Sequence, residues 1–298
     1  MDAAPQLAQQ VVPSSVHLEV TVPASHPSVV PLGTERMGSG TLVEADLVLT
    51  VNSVTLGAAG VTVTGPHGRQ ATGEVVARDF DSGLALVKVP RGLGPPAPLG
   101  EAAAAAPGQP VFLLASTAPT ARRVRGGHLI EVGPFDAAWE YMLDRALKAN
   151  AANPGFGGGA LCDLRGRMLG VVSLNLAEVA RASLAIPVDL YRDHREELLR
   201  HGRILSRPPR AWLGLFSQGR AGGVQVVGVI PDSPAARAGV REGDLLIGLD
   251  VVRLTSRREF YTELWKHRPG EPVLLSLLRG GTPKAIEVTA GDRAAFYR

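Results

Sequence analysis

Cysteine is almost absent from this chain of 298 residues: Cys162 is the only one, so no internal disulfide can form. No apolar run is long enough to cross a bilayer, so the sequence predicts no membrane span. Basic residues barely outnumber acidic ones, 31 to 28, and a net charge of +3 gives no reason to expect a nucleic-acid partner. The seven histidines are scattered without metal-ligand spacing, so neither a metal nor a cofactor is expected.

Glycine and proline are abundant, at 35 and 23 residues, whereas aromatic residues make up only 5%. That composition favours turns and short strands over a helical bundle. Residues 16–22 and 61–64 alternate between apolar and polar side chains, as half-buried strands do. Many such strands without long helices between them predict a mainly β protein built from antiparallel barrels. A helix is predicted over residues 188–201, ending at Gly202, and a second over residues 136–149 from the helical spacing of its apolar residues.

A glycine-rich loop covers residues 153–161, which are Asn-Pro-Gly-Phe-Gly-Gly-Gly-Ala-Leu. It resembles the active-site loop NPGNSGGPL of the HtrA family, serine proteases that carry a peptide-binding PDZ domain. Residues 38–54 and residues 79–89 resemble the family's histidine and aspartate motifs, and they end in Thr-Val-Asn-Ser-Val and Leu-Ala-Leu-Val-Lys-Val. The resemblance implies a chymotrypsin/trypsin-like double β-barrel with a cleft between the barrels.

The positions that carry the catalytic triad in that family hold other residues here. By the resemblance, Ser53 stands in the place of the histidine, Gly83 in that of the aspartate and Gly157 in that of the serine. A glycine has no hydroxyl to attack a carbonyl, and Ser53 cannot act as the base. Gly155 and Phe156 complete the former oxyanion loop, and Phe156 is expected to turn into the vacated cleft. The sequence therefore predicts a pseudoprotease without catalytic residues.

An active or weakly active serine endopeptidase that uses relocated residues is the alternative. The candidate nucleophiles lie in segments that approach the cleft in the family fold: Ser39, Ser53, Ser82 and Ser116. His67 and His128 are the candidate bases, but no spacing combines them with a serine into a working set. Turn chemistry would equally explain the serines, and solvated loop positions would explain the histidines. Cys162 is expected to be a packed thiol.

From Ala211 onward the chain resembles an HtrA-type PDZ domain. Residues 231–246 are PDSPAARAGVREGDLL, close to the family pattern PGSPAxxAGLxxGDxI. Residues 212–215 resemble its carboxylate-binding loop, in which successive backbone N–H groups hold the terminal carboxylate of a peptide. Gly214 would let the backbone turn there, and the bound peptide would add as a strand to the open edge of the sheet.

A helix from Ser256 to His267 is expected to form the far wall of that groove, with Phe260 and Leu264 facing the core. Trp212 and Trp265 could instead be packing residues. The predicted peptide-binding residues are Trp212, Leu213, Gly214, Leu215, Arg257 and Tyr261.

These patterns predict a degenerate trypsin-like domain over residues 1–207 and a PDZ domain over residues 208–298. The predicted function is the binding of protein or peptide C-termini and unfolded segments, as a scaffold, adaptor or holdase. The resemblance also implies a homo-oligomer, a trimer formed through the N-terminal segment, and a location outside the cytoplasm. Residues 1–5 lack the basic start and apolar stretch of a secretion signal, so the cytoplasm stays open if Met1 is the native start.

Overall fold

The computed structural model of the chain describes residues 9–176 and 182–298. The chain folds into two compact units. The first holds the residues up to Pro134 together with Asp144–Ile204, and the second holds Phe135–Leu143 with Leu205–Arg298. We call Phe135–Leu143 the inserted segment, because it interrupts the first unit in the sequence and packs with the second. This division differs from the domains predicted from the sequence, in which the inserted segment falls within the first.

The first unit is built from antiparallel strands. Its strands are β1 (Ser15–Thr21), β2 (Glu35–Glu44), β3 (Leu47–Val51), β4 (Gly60–Thr64), β5 (Gln70–Thr72), β6 (Glu74–Arg78), β7 (Leu84–Lys88), β8 (Pro110–Ser116), β9 (Arg122–Ala137), β10 (Tyr141–Ala149), β11 (Ala160–Asp163), β12 (Met168–Asn175) and β13 (Ser183–Pro187). The ends of β9 and β10 run into the inserted segment. One sheet has the order β5-β4-β1-β2-β3-β7-β6, and β10-β13-β12-β11-β8-β9 close into a barrel.

Short helices and turns connect these strands. They are α1 (Val29–Leu32), α2 (Asn52–Thr55) and α3 (Asp189–His201), with 3-10 turns at Val12–Ser14 and Ala102–Ala104. The helix α3 confirms the helix predicted over residues 188–201, and Gly202 ends it in a left-handed conformation with φ 70°.

Alternating aliphatic residues explain why the strands form. On β1, Val16 and Leu18 are fully buried, and the strand pairs with β2 from Ser15 opposite Thr41 to Thr21 opposite Glu35. Side chains two apart on a strand share a face, so this alternation directs one row into the core. The barrel encloses a second aliphatic cluster, which contains Leu113, Leu147, Leu161 and Val172.

The second unit is an antiparallel sheet covered by short helices. Its elements are β14 (Leu215–Arg220), β15 (Gly223–Val229), α4 (Pro234–Ala238), β16 (Leu245–Leu249), β17 (Val252–Arg253), α5 (Arg257–Leu264), β18 (Pro272–Arg279), β19 (Thr282–Thr289) and α6 (Arg293–Phe296). The sheet order is β14-β15-β16-β18-β19, with β17 paired to β16, so β14 is the terminal strand on one side. Ser256 caps α5 by accepting from the Glu259 N–H, and Phe260 and Leu264 are fully buried as predicted.

The mainly β fold predicted from the sequence is confirmed, but the helix predicted over residues 136–149 is wrong. These residues form the end of β9, a turn and β10. Leu147 pairs with Ala185 on β13, and Met142 packs in the core of the second unit. The strand pairing of these residues, and their burial in two separate cores, stabilise strands more than the helical spacing of the apolar residues stabilises a helix. Across the described ranges, no helix is long and apolar enough to cross a membrane.

Candidate functional site

Three loops of the first unit meet at the positions that the resemblance assigned to a triad. The Asn52 N–H, next to Ser53, donates to the Gly83 carbonyl over 2.8 Å. The loop that holds Gly157 lies against the same region, since a Cβ added at Gly157 would be 3.9 Å from Val51 Cγ2. The structure therefore brings the segments of Ser53, Gly83 and Gly157 together.

The side chains at these positions offer little chemistry. Ser53 is exposed on α2, and its carbonyl accepts a hydrogen bond of 3.1 Å from the buried Arg36. Gly83 has a φ of 77°, a left-handed conformation that glycine adopts more readily than aspartate. The atom nearest to a Cβ added at Gly157 is Ser173 O, at 3.6 Å. A hydroxyl would fit at position 157, whereas an aspartate at position 83 would be strained.

The glycine-rich loop around Phe156 is held by hydrogen bonds within the protein. The Ser39 N–H donates to the Gly157 carbonyl over 2.7 Å, and the Phe156 N–H donates to the Ser116 carbonyl over 3.0 Å. The Phe156 carbonyl accepts from Ser39 Oγ at 2.9 Å and from Asn153 Nδ2 at 3.1 Å. The Phe156 amide is therefore bonded within the protein.

A buried serine–histidine contact lies behind this loop. His17 Nδ1 is 3.0 Å from Ser116 Oγ, which is itself 3.0 Å from Ser39 Oγ. All three residues are fully buried, and the partly buried Phe156 ring lies 5.6 Å from the imidazole, centroid to centroid. Burial is the main cause that lowers the pKa of His17. A substrate carbonyl has no access to a fully buried hydroxyl.

The other candidate nucleophiles and bases predicted from the sequence are not joined to this contact. His67 is exposed in the turn after β4, and His128 is exposed on β9. Ser82 Oγ accepts from the Leu84 N–H over 3.3 Å, as a serine in a turn does. His17 was missed because it sits in an alternating strand, and only the tertiary fold brings it to Ser116.

A second histidine–serine contact joins near neighbours in the sequence. His26 Nδ1 lies 2.7 Å from Ser28 Oγ. Ser28 is fully buried, and its hydroxyl donates to the Leu56 carbonyl at 3.2 Å and accepts from Arg36 at 2.6 Å. This hydroxyl helps to position the buried arginine beneath α2.

In the second unit, three backbone N–H groups converge on one carboxylate. Glu140 Oε1 accepts from Leu213 at 2.9 Å, and Oε2 accepts from Gly214 at 2.8 Å and Leu215 at 3.1 Å. Gly214 has a φ of 85°, and a Cβ there would lie 2.2 Å from Ser233 Cβ, so the turn requires glycine. The loop binds a carboxylate, and the occupant, Glu140, was not found from the sequence.

The inserted segment continues along β14. The Ser217 N–H donates to the Ala138 carbonyl over 2.8 Å, in the manner of an added strand. The Tyr261 hydroxyl donates to the Ala137 carbonyl at 2.6 Å and accepts from the Glu140 N–H at 3.0 Å. The same hydroxyl lies 3.0 Å from Ser217 Oγ. Tyr261 therefore links β14, α5 and the inserted segment.

Arg257 holds the other end of that segment. Its Nε donates to Asp136 Oδ2 and its Nη2 to the Asp136 carbonyl, both at 2.7 Å, while Nη1 donates to the Ser217 carbonyl at 3.1 Å. The structure thus places Leu213, Gly214, Leu215, Arg257 and Tyr261 in contact with the inserted segment. Trp212, by contrast, is buried against Phe296 and Tyr297, with ring centroids 4.7 and 6.0 Å away.

Burial dominates the electrostatics of this groove. It raises the pKa of Glu140, against the lowering effect of the three backbone donors and of Arg293. It is also the main cause that raises the pKa of Tyr261. The described part of the chain holds no group of three or more His, Cys, Asp or Glu residues arranged to hold a metal.

Two family models match this chain. One described as a trypsin-like peptidase domain matches residues 38–171, and one described as a PDZ domain matches residues 211–290. The chain is 27% identical over 275 residues to a probable periplasmic serine endoprotease, DegP-like, of Halomonas elongata, covering 86% of this chain and 56% of the relative. It is 29% identical over 285 residues to the periplasmic pH-dependent serine endoprotease DegQ of Escherichia coli, covering 86% and 59%. The chain therefore spans little more than half the length of these relatives.

Solved structures share the fold. The HtrA-type protease AlgW with a decapeptide superimposes with a TM-score of 0.57 at 23% identity, covering 97% of this chain and 98% of the other. The same protease with a tripeptide gives a TM-score of 0.60 at 24% identity, with 97% of both chains covered. The chain is a mainly β protein with a trypsin-like protease fold and a PDZ domain. In that combination of domains the chain is similar to HtrA-type and DegP-like proteases.

Proposed function

We propose that this protein binds peptides or protein C-termini through its PDZ domain and does not cleave them. The observation that carries the proposal is the chemistry at the three assembled triad positions. Gly157 offers no nucleophile, Ser53 no base, and Gly83 no carboxylate to orient one. Such a protein would act as a scaffold, an adaptor for an active relative, or a holdase for unfolded segments in protein quality control.

Loss of the three groups leaves little catalytic power. A backbone oxyanion hole and binding alone supply roughly 10³–10⁴-fold acceleration over water, far below a working protease. The Phe156 N–H is already bonded to the Ser116 carbonyl, which further limits the donors that this loop can direct at a substrate.

An active serine endopeptidase is the second candidate, and the names of the relatives favour it. The curated relatives from Halomonas elongata and Escherichia coli are both called serine endoproteases. Activity here would need a relocated nucleophile. Ser116 with His17 is the contact that comes nearest, but both side chains are fully buried. Ser28 with His26 is further from a working pair, because the Ser28 hydroxyl is bonded to Leu56 and Arg36.

A fluorophosphonate probe separates the two candidates. It labels a serine only when a base activates the hydroxyl. We expect no labelling of the folded full chain, and the same result for the variants Ser116→Ala and Ser28→Ala. Labelling that disappears in one of these variants would identify the relocated nucleophile and support the endopeptidase.

Peptide binding is tested with pairs of apolar peptides that differ only in their C-terminus. We expect binding on the micromolar scale by free acids and weaker binding by the matching amides, because the loop at Leu213–Leu215 receives a carboxylate. Equal binding of both forms would count against a carboxylate site.

Location and assembly remain part of the proposal. The periplasmic names of the relatives support a location outside the cytoplasm. A trimer through the N-terminal segment is proposed from the family resemblance, and residues 1–8 of that segment lie outside the described residues. Light scattering on the full chain measures the assembly directly.

A further inference from the structure

We propose that the inserted segment is a displaceable internal ligand of the PDZ groove, with the Glu140 carboxylate in the place of a peptide's terminal carboxylate. An external C-terminus then binds only when the segment leaves. This inference rests on the proposed peptide-binding function, and it adds the regulation of that same site.

The carboxylate loop is the first support. All three N–H groups of Leu213, Gly214 and Leu215 donate to Glu140, at 2.8–3.1 Å. A peptide terminus needs the same donors, since successive backbone N–H groups in a turn form one anion-binding concavity. Two carboxylates cannot share it, so the internal and external ligands exclude one another.

The sheet edge is the second support. The Ser217 N–H on β14 donates to the Ala138 carbonyl, so the segment already uses a main-chain donor that an added strand would use. Tyr261 and Arg257 on α5 hold Ala137 and Asp136 from the opposite wall. The occupant thus contacts the loop, the edge strand and the helix together, as a bound peptide does.

The cost of docking makes this occupant displaceable. Glu140 has a φ of 54°, in the left-handed region that non-glycine residues adopt with strain. The residue is only 4% exposed, so docking removes a charge from water. The segment is also tethered at both ends, since the chain leaves the first unit after Pro134 and returns to it at Asp144. Tethering gives the segment a high effective concentration, on the order of millimolar, without covalent attachment to the groove.

The probe is a labelled peptide, Asp-Ala-Ala-Trp-Val, with a free terminal carboxylate. It repeats residues 136–139 and supplies a terminal carboxylate near the place of Glu140. Its amidated twin is the control ligand. The apparent affinity of the full chain for this probe depends on the fraction of molecules whose groove is empty.

The variant Glu140→Gln keeps the shape of the side chain but removes the charge that three donors bind. Loss of such charge-assisted bonds shifts the docked population by about ten- to a hundredfold, so the probe should bind more tightly by up to that factor. The matched control is Glu131→Gln on β9, where the glutamate is half-exposed and paired with Lys148 at 2.8 Å. We expect the control to bind the probe as the wild type does.

Asp136→Asn is the second variant, since it weakens the Arg257 contact and leaves the carboxylate loop intact. It should also tighten probe binding. Amide hydrogen exchange at residues 213–215 provides an independent readout: exchange should be faster in Glu140→Gln, and the probe should slow it again.

The outcomes separate the two proposals. If the wild type, both variants and the control bind the free-acid probe equally, the internal ligand is refuted while the peptide-binding function stands. If none of them binds the probe or any other free-acid peptide, both proposals fail. Tighter binding of the free-acid probe by both variants, with weaker binding of its amidated twin, supports both.

Discussion

Replacing Gly157 by serine places a hydroxyl in the glycine-rich loop, and the structure indicates that the protein will accept it. A Cβ at this position meets nothing closer than Ser173 O at 3.6 Å, which is ordinary contact, and the backbone lies outside the left-handed region. We expect the unfolding free energy of Gly157→Ser to change by no more than about 0.5 kcal/mol. We also expect the variant to stay inert towards a fluorophosphonate and a denatured substrate.

Introducing the other two side chains that the resemblance assigns to a triad is harder, because the backbone at Gly83 disfavours an aspartate. Its φ of 77° would cost an aspartate about 1–2 kcal/mol. For a domain of this size, each kcal/mol lowers the melting temperature by about 2–4 °C. The triple variant Ser53→His, Gly83→Asp, Gly157→Ser should therefore melt several degrees below Gly157→Ser alone. As single variants, Gly83→Asp and its matched control Gly108→Asp, at a φ of 85° with open space around it, should show a similar loss of stability.

Calorimetry and a fluorogenic cleavage assay decide this prediction together. If Gly157→Ser alone cleaves the substrate, a base must lie within reach of position 157, and the account of a dismantled site is wrong. If Gly83→Asp costs no stability while Gly108→Asp does, the backbone argument at Gly83 fails.

Three further predictions concern single side chains. Arg195 donates two hydrogen bonds to Glu44, and these bonds are the main cause that lowers the pKa of the Glu44 carboxyl below 4.5. The pair therefore stabilises the folded state above that pH, and this stabilisation is lost as the pH falls and the carboxyl is protonated. The stability difference between the wild type and Glu44→Gln, from urea unfolding, should shrink between about pH 6 and pH 3. Cys162 is fully buried, and burial, with Asp163 adding to it, raises its pKa, so mass spectrometry should find no alkylation before denaturation. Tyr261→Phe removes a buried hydroxyl with three partners and should lower the unfolding free energy of the second unit by about 1–3 kcal/mol in denaturant titrations; no loss would contradict its linking role.

The sequence predicted the parts of the fold that local patterns determine. The strand at residues 16–22 follows from alternating Val16, Leu18 and Val20, and the end of α3 follows from Gly202. The start of α5 follows from the helix predicted from Ser256, which the structure shows as the residue that caps it. Each of these signals lies within a few residues of the element that it specifies.

The sequence could not reveal the occupant of the PDZ groove. Glu140 precedes Leu213 by 73 positions, and nothing near it marks a carboxylate that will be buried. The wrong helix prediction over residues 136–149 has the same origin, because Met142 packs in the second unit and Leu147 in the barrel of the first. Contacts between residues far apart in the sequence determine the structure of this region, and the local spacing of apolar residues does not predict such contacts.

Steady-state turnover of a denatured, labelled polypeptide by the purified full chain tests the central claim most directly. We predict no cleavage above the rate without protein, from preparations that still bind free-acid peptides. Sustained turnover that a fluorophosphonate abolishes would contradict the account.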